Sequence, residues 1–156
     1  ALYKRGFVSE AQEVIDSIYR MAKDPKAGIY PLIPEYFNSQ GQGLYLYLTG
    51  SASWYIYTLI EETLGVKFSL GDMILEPKLT PANFLKNTID VNFAFQKKRI
   101  HLKFIKEKSN NTILGIHELR LEGRKVKPHT DATYHIPKKK IISLTKKDIT
   151  LTAYCW

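Results

Sequence analysis

Ile89-Asp90-Val91-Asn92-Phe93-Ala94-Phe95, followed by Arg99-Ile100-His101-Leu102-Lys103-Phe104, is the stretch on which the fold turns. In the first segment Ile89, Val91, Phe93 and Phe95 alternate with Asp90, Asn92 and Ala94. In the second, Ile100, Leu102 and Phe104 alternate with Arg99, His101 and Lys103. Successive side chains of a strand point to opposite faces, so this period predicts strands buried on one face and wet on the other. Ile116, Leu119 and Leu121, then Ile149, Leu151 and Ala153, continue in the same style. Asn110-Asn111 and Glu122-Gly123 are turn signals between such segments. Six to eight short strands over about 85 residues is the spacing of a β-sandwich.

Outward from these strands the charge changes sign. Residues 1–85 hold seven Lys/Arg against nine Asp/Glu, whereas residues 86–156 hold sixteen against six. The asymmetry predicts two modules, with Pro77 and Pro81 in a linker at the junction near residues 70–86. Three basic clusters, Lys97–Arg99, Arg124–Lys127 and Lys138–Lys140, raise a rival function, the binding of nucleic acid or another polyanion. They fall between strands, and no aromatic residues are interleaved with them as stacking platforms. Lysines beside turns also keep edge strands soluble, and that reading is favoured.

The 156 residues suit one domain, or one small domain with part of another, and the 44% hydrophobic content is that of a globular protein. No apolar run reaches the roughly 20 residues of a membrane span. The first residues carry neither an apolar signal core nor an initiator Met, so the chain reads as a fragment of something longer. A single cysteine, Cys155, excludes an internal disulfide and a cysteine-based zinc site, and fits a reduced, cytoplasmic setting. His101, His117, His129 and His135 share no metal-ligand spacing. His101 and His117 fall at the polar phase of strands and are expected to face solvent. Asp72 and Glu76 are expected to organise a turn and the start of the β module.

The first module reads as helical. Ser9 to Gln12 matches a capping box, and Ala11, Val14, Ile15, Ile18, Tyr19 and Ala22 follow the spacing of one apolar helix face. Lys23-Asp24-Pro25 ends that helix. Residues 26–48 read as a long loop with five aromatics, Tyr30, Tyr36, Phe37, Tyr45 and Tyr47. These rings suit either a sugar-lined cleft or anchorage of the loop to the core. A second helix over about 52–64 is apolar on most sides, with Gly65 as its C-terminal cap. Two helices cannot enclose such a helix, so its partners must lie in further chain or in a second copy.

At the start of that helix stands Tyr47-Leu48-Thr49-Gly50-Ser51-Ala52-Ser53-Trp54. The first-turn N–H groups of a helix lack intrahelical acceptors and carry partial positive charge. A Thr-Gly-Ser turn adds hydroxyl donors and a glycine that admits close approach, which is phosphate-binding chemistry. Ser51 or Ser53 would equally serve as a simple N-cap.

Three segments, residues 28–37, 45–55 and 70–79, resemble the C-terminal part of the inverting disaccharide phosphorylases of glycoside hydrolase family 94. The pieces Thr49-Gly50-Ser51-Ala52-Ser53-Trp54 and Leu75-Glu76-Pro77-Lys78-Leu79 carry most of the likeness. It covers roughly residues 28–79, and the spelling is nearest to the 1,2-β-oligoglucan branch. The resemblance implies an α+β fragment: the last helices of an (α/α)6 barrel over residues 1–69, then a jelly-roll-like antiparallel β-sandwich over residues 70–156. It implies a glycosyltransferase that cleaves β-glucosidic bonds, β-1,2 preferred, with inorganic phosphate as co-substrate, to give α-glucose 1-phosphate. No metal or organic cofactor is implied.

An inverting phosphorylase needs a general acid but no base, because phosphate itself attacks the anomeric carbon. By resemblance Thr49 and Gly50 match the family's phosphate-contacting pair, with Ser51 adjacent. Glu35, Tyr36 and Tyr47 are candidate sugar contacts. The family's general acid, and its phosphate-binding Arg and His, lie upstream and match no position here, so no catalytic residue is assigned. The implied partners are a β-glucan oligosaccharide, phosphate, the remainder of the same polypeptide and, by the habit of the family, a second copy. Membrane and nucleic acid are not expected. The alternatives are a carbohydrate-binding or structural C-terminal module of a cyclic β-1,2-glucan synthase-like protein and, below it, a basic polyanion-binding module.

Overall fold

The structure is a computed structural model and describes residues 1–47, 50–130 and 133–156. It divides into two compact units, Ala1–Ile60 and Glu61–Trp156. The division falls ahead of the expected boundary at residue 70 because Val66–Ser69 is the first strand of the second unit's sheet.

The first unit is built on helix α1, Val8–Lys23. Phe7 occupies the N-cap and makes no side-chain cap hydrogen bond. Ser9 lies inside the helix, so the capping box read at Ser9–Gln12 does not form. The expected apolar face is partly realised. Ala11, Ile15 and Ala22 are buried, whereas Val14 and Tyr19 are exposed. Tyr3, Val8, Ala11 and Ile15 form one apolar cluster, against which Tyr55 and Leu59 pack. A second cluster joins Ala22, Ala27 and Ile29 to Ile33 and Phe37. Inside the expected loop lies a small antiparallel hairpin, β1 (Tyr36–Phe37) with β2 (Gly43–Leu44). The Asn38 carboxamide oxygen accepts from the N–H groups of Gln40 and Gln42 and fixes its turn.

Helix α2 runs Ser51–Tyr57 and continues as π-helical turns over Thr58–Thr63. The sequence predicts a helix over about 52–64, and one occurs. Within this chain it is not enclosed: no residue of Ser51–Tyr57 is buried, and Trp54 is 67% exposed, as expected of a helix whose partners lie elsewhere. No helix among the described residues is long and apolar enough to cross a membrane.

Among the described residues the second unit holds eight strands: β3 (Val66–Ser69), β4 (Asp72–Leu75), β5 (Thr88–Phe95), β6 (Lys98–Lys106), β7 (Ile116–Leu121), β8 (Arg124–Val126), β9 (Tyr134–Ile136) and β10 (Asp148–Cys155). A three-stranded antiparallel sheet has the order β3-β4-β9. A five-stranded sheet has the order β5-β6-β10-β7-β8. Its β6 and β10 run parallel, Ile100 opposite Ile149 and Phe104 opposite Ala153, while its other pairs are antiparallel. The unit is therefore not wholly antiparallel. Met73, Leu75 and Ile136 of one sheet share a single buried cluster with Ile100, Leu102, Phe104, Leu119 and Leu151 of the other. This is a mixed α+β chain whose two sheets enclose one core, an arrangement compatible with a β-sandwich.

The strand residues obey the predicted faces. Ile100, Leu102 and Phe104 are buried, whereas Arg99, His101 and Lys103 are exposed. Ile116 and Leu119 are three apart, out of phase for one face. A bulge opposite Tyr154 and Cys155 absorbs the odd residue, so both are buried. Four two-residue turns, Leu70-Gly71, Lys86-Asn87, Gln96-Lys97 and Glu122-Gly123, have positive φ at both positions. That is the backbone of tight hairpin turns, whose twist matches the flanking strands.

The residues around Pro77 are not a linker. Glu76 N–H donates to Gly65 O at 2.9 Å and Lys78 N–H to Thr63 O at 3.0 Å. Leu79 is fully buried and bridges to Leu114. Gly65 caps the helical segment with φ +65°, as expected of it. Lys138–Ile142, read only as part of a basic cluster, forms a short helix, α3.

Candidate functional site

In the first unit α1, the β1 hairpin and α2 surround an open cavity of about 520 Å³. Its lining is apolar along Val14, Ile18 and Trp54, and polar at Glu35 and Ser51. Glu35 is placed by its backbone N–H, which donates to Leu44 O and Tyr45 O at 3.1 and 3.0 Å. The Ser51 hydroxyl approaches Glu35 Oε2 at 3.5 Å. Of the residues read as sugar or phosphate contacts, the fold brings these two together.

Gly50 is the N-cap of α2, and its carbonyl accepts the first helical hydrogen bond from Trp54 N–H at 2.8 Å. The N-cap role open to Ser51 or Ser53 thus falls to Gly50. Thr49, the leading phosphate candidate, lies outside the described residues, as does Leu48. Tyr47 borders a separate depression of about 340 Å³, with Leu46, Ala52 and Ile56. Its ring is 79% exposed. Tyr36 lies against Tyr45, ring centroids 6.0 Å apart. Tyr30, Tyr36, Tyr45 and Tyr47 are all exposed. The loop aromatics therefore form a ring-rich surface rather than anchors to a core, Phe37 excepted.

Some of the basic residues of the β unit are held within it. Lys98 Nζ donates to Leu144 O and Lys146 O at 2.6 and 2.8 Å, pinning the segment before β10. Arg99 pairs with Asp148 at 2.7 Å, Lys146 with Glu122 at 2.6 Å, and Lys125 with Glu118. Asp148 is held below the usual carboxylate range, first by Arg99 and then by His101. Glu118 is held down by Lys125 and Arg120.

Asp72 organises its surroundings as anticipated. Its carboxylate accepts from Lys138 N–H at 2.7 Å, at the start of α3, and contacts His135 Nε2 at 3.1 Å. The Lys138 N–H is the main influence lowering its pKa. Glu76 pairs with Lys67 at 2.8 Å. His135 and His129 meet edge to face, 5.7 Å between centroids, beside a cavity of about 230 Å³. The meeting is local: His129 N–H donates to Thr133 O at 2.8 Å across the turn that leads into β9, which carries His135. Among the described residues no group of three His, Cys, Asp or Glu side chains is arranged to hold a metal ion.

His101 is exposed and bonded to Asn92 and Asp148. His117 is half-buried against Glu107 at 2.6 Å, so the solvent-facing expectation holds fully for His101 and in part for His117. Cys155 is buried, and its thiol is pushed up to about 12 by that burial and by the nearby Glu107 charge. It is a packing residue, not a nucleophile.

No family model matches the chain, and no curated protein matches it.

Proposed function

We propose that this chain is the C-terminal part of an inverting glycoside phosphorylase acting on β-glucosidic bonds, with β-1,2-glucooligosaccharides preferred. The reading rests on the sequence resemblance at Thr49–Trp54 and Leu75–Leu79. The observation that supports it best is the cavity at the N-terminal end of α2, where Glu35 and Ser51 form the polar edge of an apolar wall carrying Trp54. A carboxylate there suits a sugar hydroxyl, which donates to it, better than it suits an anion. On this reading Glu35 takes a sugar hydroxyl and the neighbouring Thr49-Gly50 turn takes phosphate. The exposed rings of Tyr36 and Tyr47 pack on sugar C–H faces.

The exposed faces of α2 fit the same picture, since the remainder of an (α/α)6 barrel would cover them. Phosphate attacks the anomeric carbon with inversion, and the leaving oxygen takes a proton from a general acid supplied by chain upstream of residue 1. This chain alone then binds but does not turn over. The test is phosphorolysis by the full-length parent, wild type and Thr49→Ala, on β-1,2-, β-1,3- and β-1,4-linked glucooligosaccharides. Release of sugar 1-phosphate from one linkage, with weakened apparent phosphate affinity in the variant, is the expected result. Phosphate-independent release, or none from any linkage, refutes the reading and leaves a carbohydrate-binding or structural module.

A further inference from the structure

The outer face of the five-stranded sheet carries an aromatic corner that the proposed function does not use. Tyr154, in β10, and Trp156, just past its end, both lie beside the ring of His117. Trp156 is 56% exposed. The bulge that puts Ile116 into the core also turns His117 outward between them. Its ring centroid lies 4.6 Å from that of Trp156 and 6.5 Å from that of Tyr154. Each ring is held. His117 Nε2 is 2.6 Å from Glu107 Oε2, and the Arg120 guanidinium lies 5.3 Å from the Tyr154 centroid.

The polar border is balanced. Glu107 and Glu118 offer carboxylate oxygens. Arg120 spends its Nε–H on Glu118 at 2.6 Å and keeps further N–H donors of the guanidinium. Glu118 is matched by Arg120 and Lys125 and Glu107 by His117, so these carboxylates sit beside donors. Flat rings edged by paired donors and acceptors match a neutral ring with an apolar C–H face and a hydroxyl rim.

We propose that Trp156, Tyr154 and His117 form a saccharide-binding platform, separate from the α2 cavity, that takes a neutral oligosaccharide. The choice of glucan as probe rests on the phosphorylase reading, whereas the platform rests on its own geometry. The test titrates the 156-residue chain calorimetrically with β-1,2-, β-1,3- and β-1,4-glucooligosaccharides at low and high salt. Variants are Trp156→Ala, Trp156→Phe and, as a control in the other unit, Tyr19→Ala, an exposed ring outside the α2 cavity.

The expected result is binding of at least one glucan, weakened about tenfold by Trp156→Ala, largely kept by Trp156→Phe, and indifferent to salt and to loss of the Tyr19 ring. Binding unchanged in Trp156→Ala, binding abolished by salt, or no binding of any glucan overturns the platform. Should Trp156→Ala lower the thermal midpoint, equal loss in Trp156→Phe also overturns it, because the ring would then matter only for packing. If the parent fails at phosphorolysis while Trp156-dependent binding persists, the phosphorylase reading alone falls.

Discussion

Replacing Gly65 by Ala tests the joint through which the helical segment enters the β unit. Gly65 has φ +65°, and a Cβ there would lie 2.1 Å from the Glu76 carbonyl carbon and oxygen and 2.3 Å from Pro77 N. The left-handed backbone alone costs a side chain about 1–2 kcal/mol. The clash is with backbone, which has no rotamer to swing away. Relief requires the Glu76–Pro77 segment to retreat, and that strains the Glu76 N–H bond to Gly65 O at 2.9 Å. Such a hydrogen bond is worth about 1 kcal/mol. The retreat also loosens Leu75 and Leu79, both fully buried, and overpacking of this kind costs about 1–3 kcal/mol. The sum is about 3–6 kcal/mol, a large part of the 5–15 kcal/mol that holds an ordinary domain together. Gly123→Ala is the matched control. Its φ is +77°, but nothing lies within 4 Å of the added Cβ, so it pays the backbone term alone. Urea unfolding followed by circular dichroism measures both. Gly65→Ala should lose at least about 2 kcal/mol more than Gly123→Ala. Equal losses would refute the close approach of Glu76 to Gly65 and with it the packed joint.

Three further outcomes follow from individual residues. Lys97 is exposed with φ +60° in the β5–β6 turn, so Lys97→Gly should raise stability by up to about 1 kcal/mol in the same assay. Asp72, Glu118, Glu122 and Asp148 all sit below the usual carboxylate range. A carboxyl lowered by folding contributes stability above its unfolded value near 4 and loses it as pH falls through the folded value. Unfolding free energy should therefore drop as pH falls below about 4, and Asp72→Asn should make that drop shallower; an equally steep acid limb in the variant would count against the Asp72–Lys138 contact. Cys155, with its thiol near 12, should resist a thiol reagent at pH 8 until the protein is unfolded. Rapid labelling of the native protein would contradict its burial.

The strands β5, β6, β7 and β10 are legible in the sequence because alternation is a local property. It says which side chains share a face, and Ile100, Leu102, Phe104, Ile149 and Leu151 lie where it puts them. The turn at Glu122-Gly123 and the cap at Gly65 are legible for the same reason, since positive φ selects residue types at single positions. The helix at α2 is legible, and so is its lack of partners within this chain. Amphipathicity describes what a helix requires, while the partners that satisfy it lie elsewhere in space. Glu35 and Ser51 were each legible as candidates, but their meeting across one cavity was not.

Alternation alone leaves a strand's neighbours open. The parallel pairing of β6 with β10 joins residues nearly fifty apart, Arg99 with Asp148. It depends on which strand can bury its apolar face against the three-stranded sheet without leaving ladder groups unpaired, and that is settled only when the whole unit closes. The same closure sends His117 outward at a bulge, draws His135 to Asp72, and turns apparent surface lysines into clamps on carbonyls and carboxylates. Sequence by itself determined the faces, the Glu122-Gly123 turn and the two-part division of charge. Tertiary structure decided the partners, because partners are chosen by burial and hydrogen bonding summed over segments that are far apart along the chain.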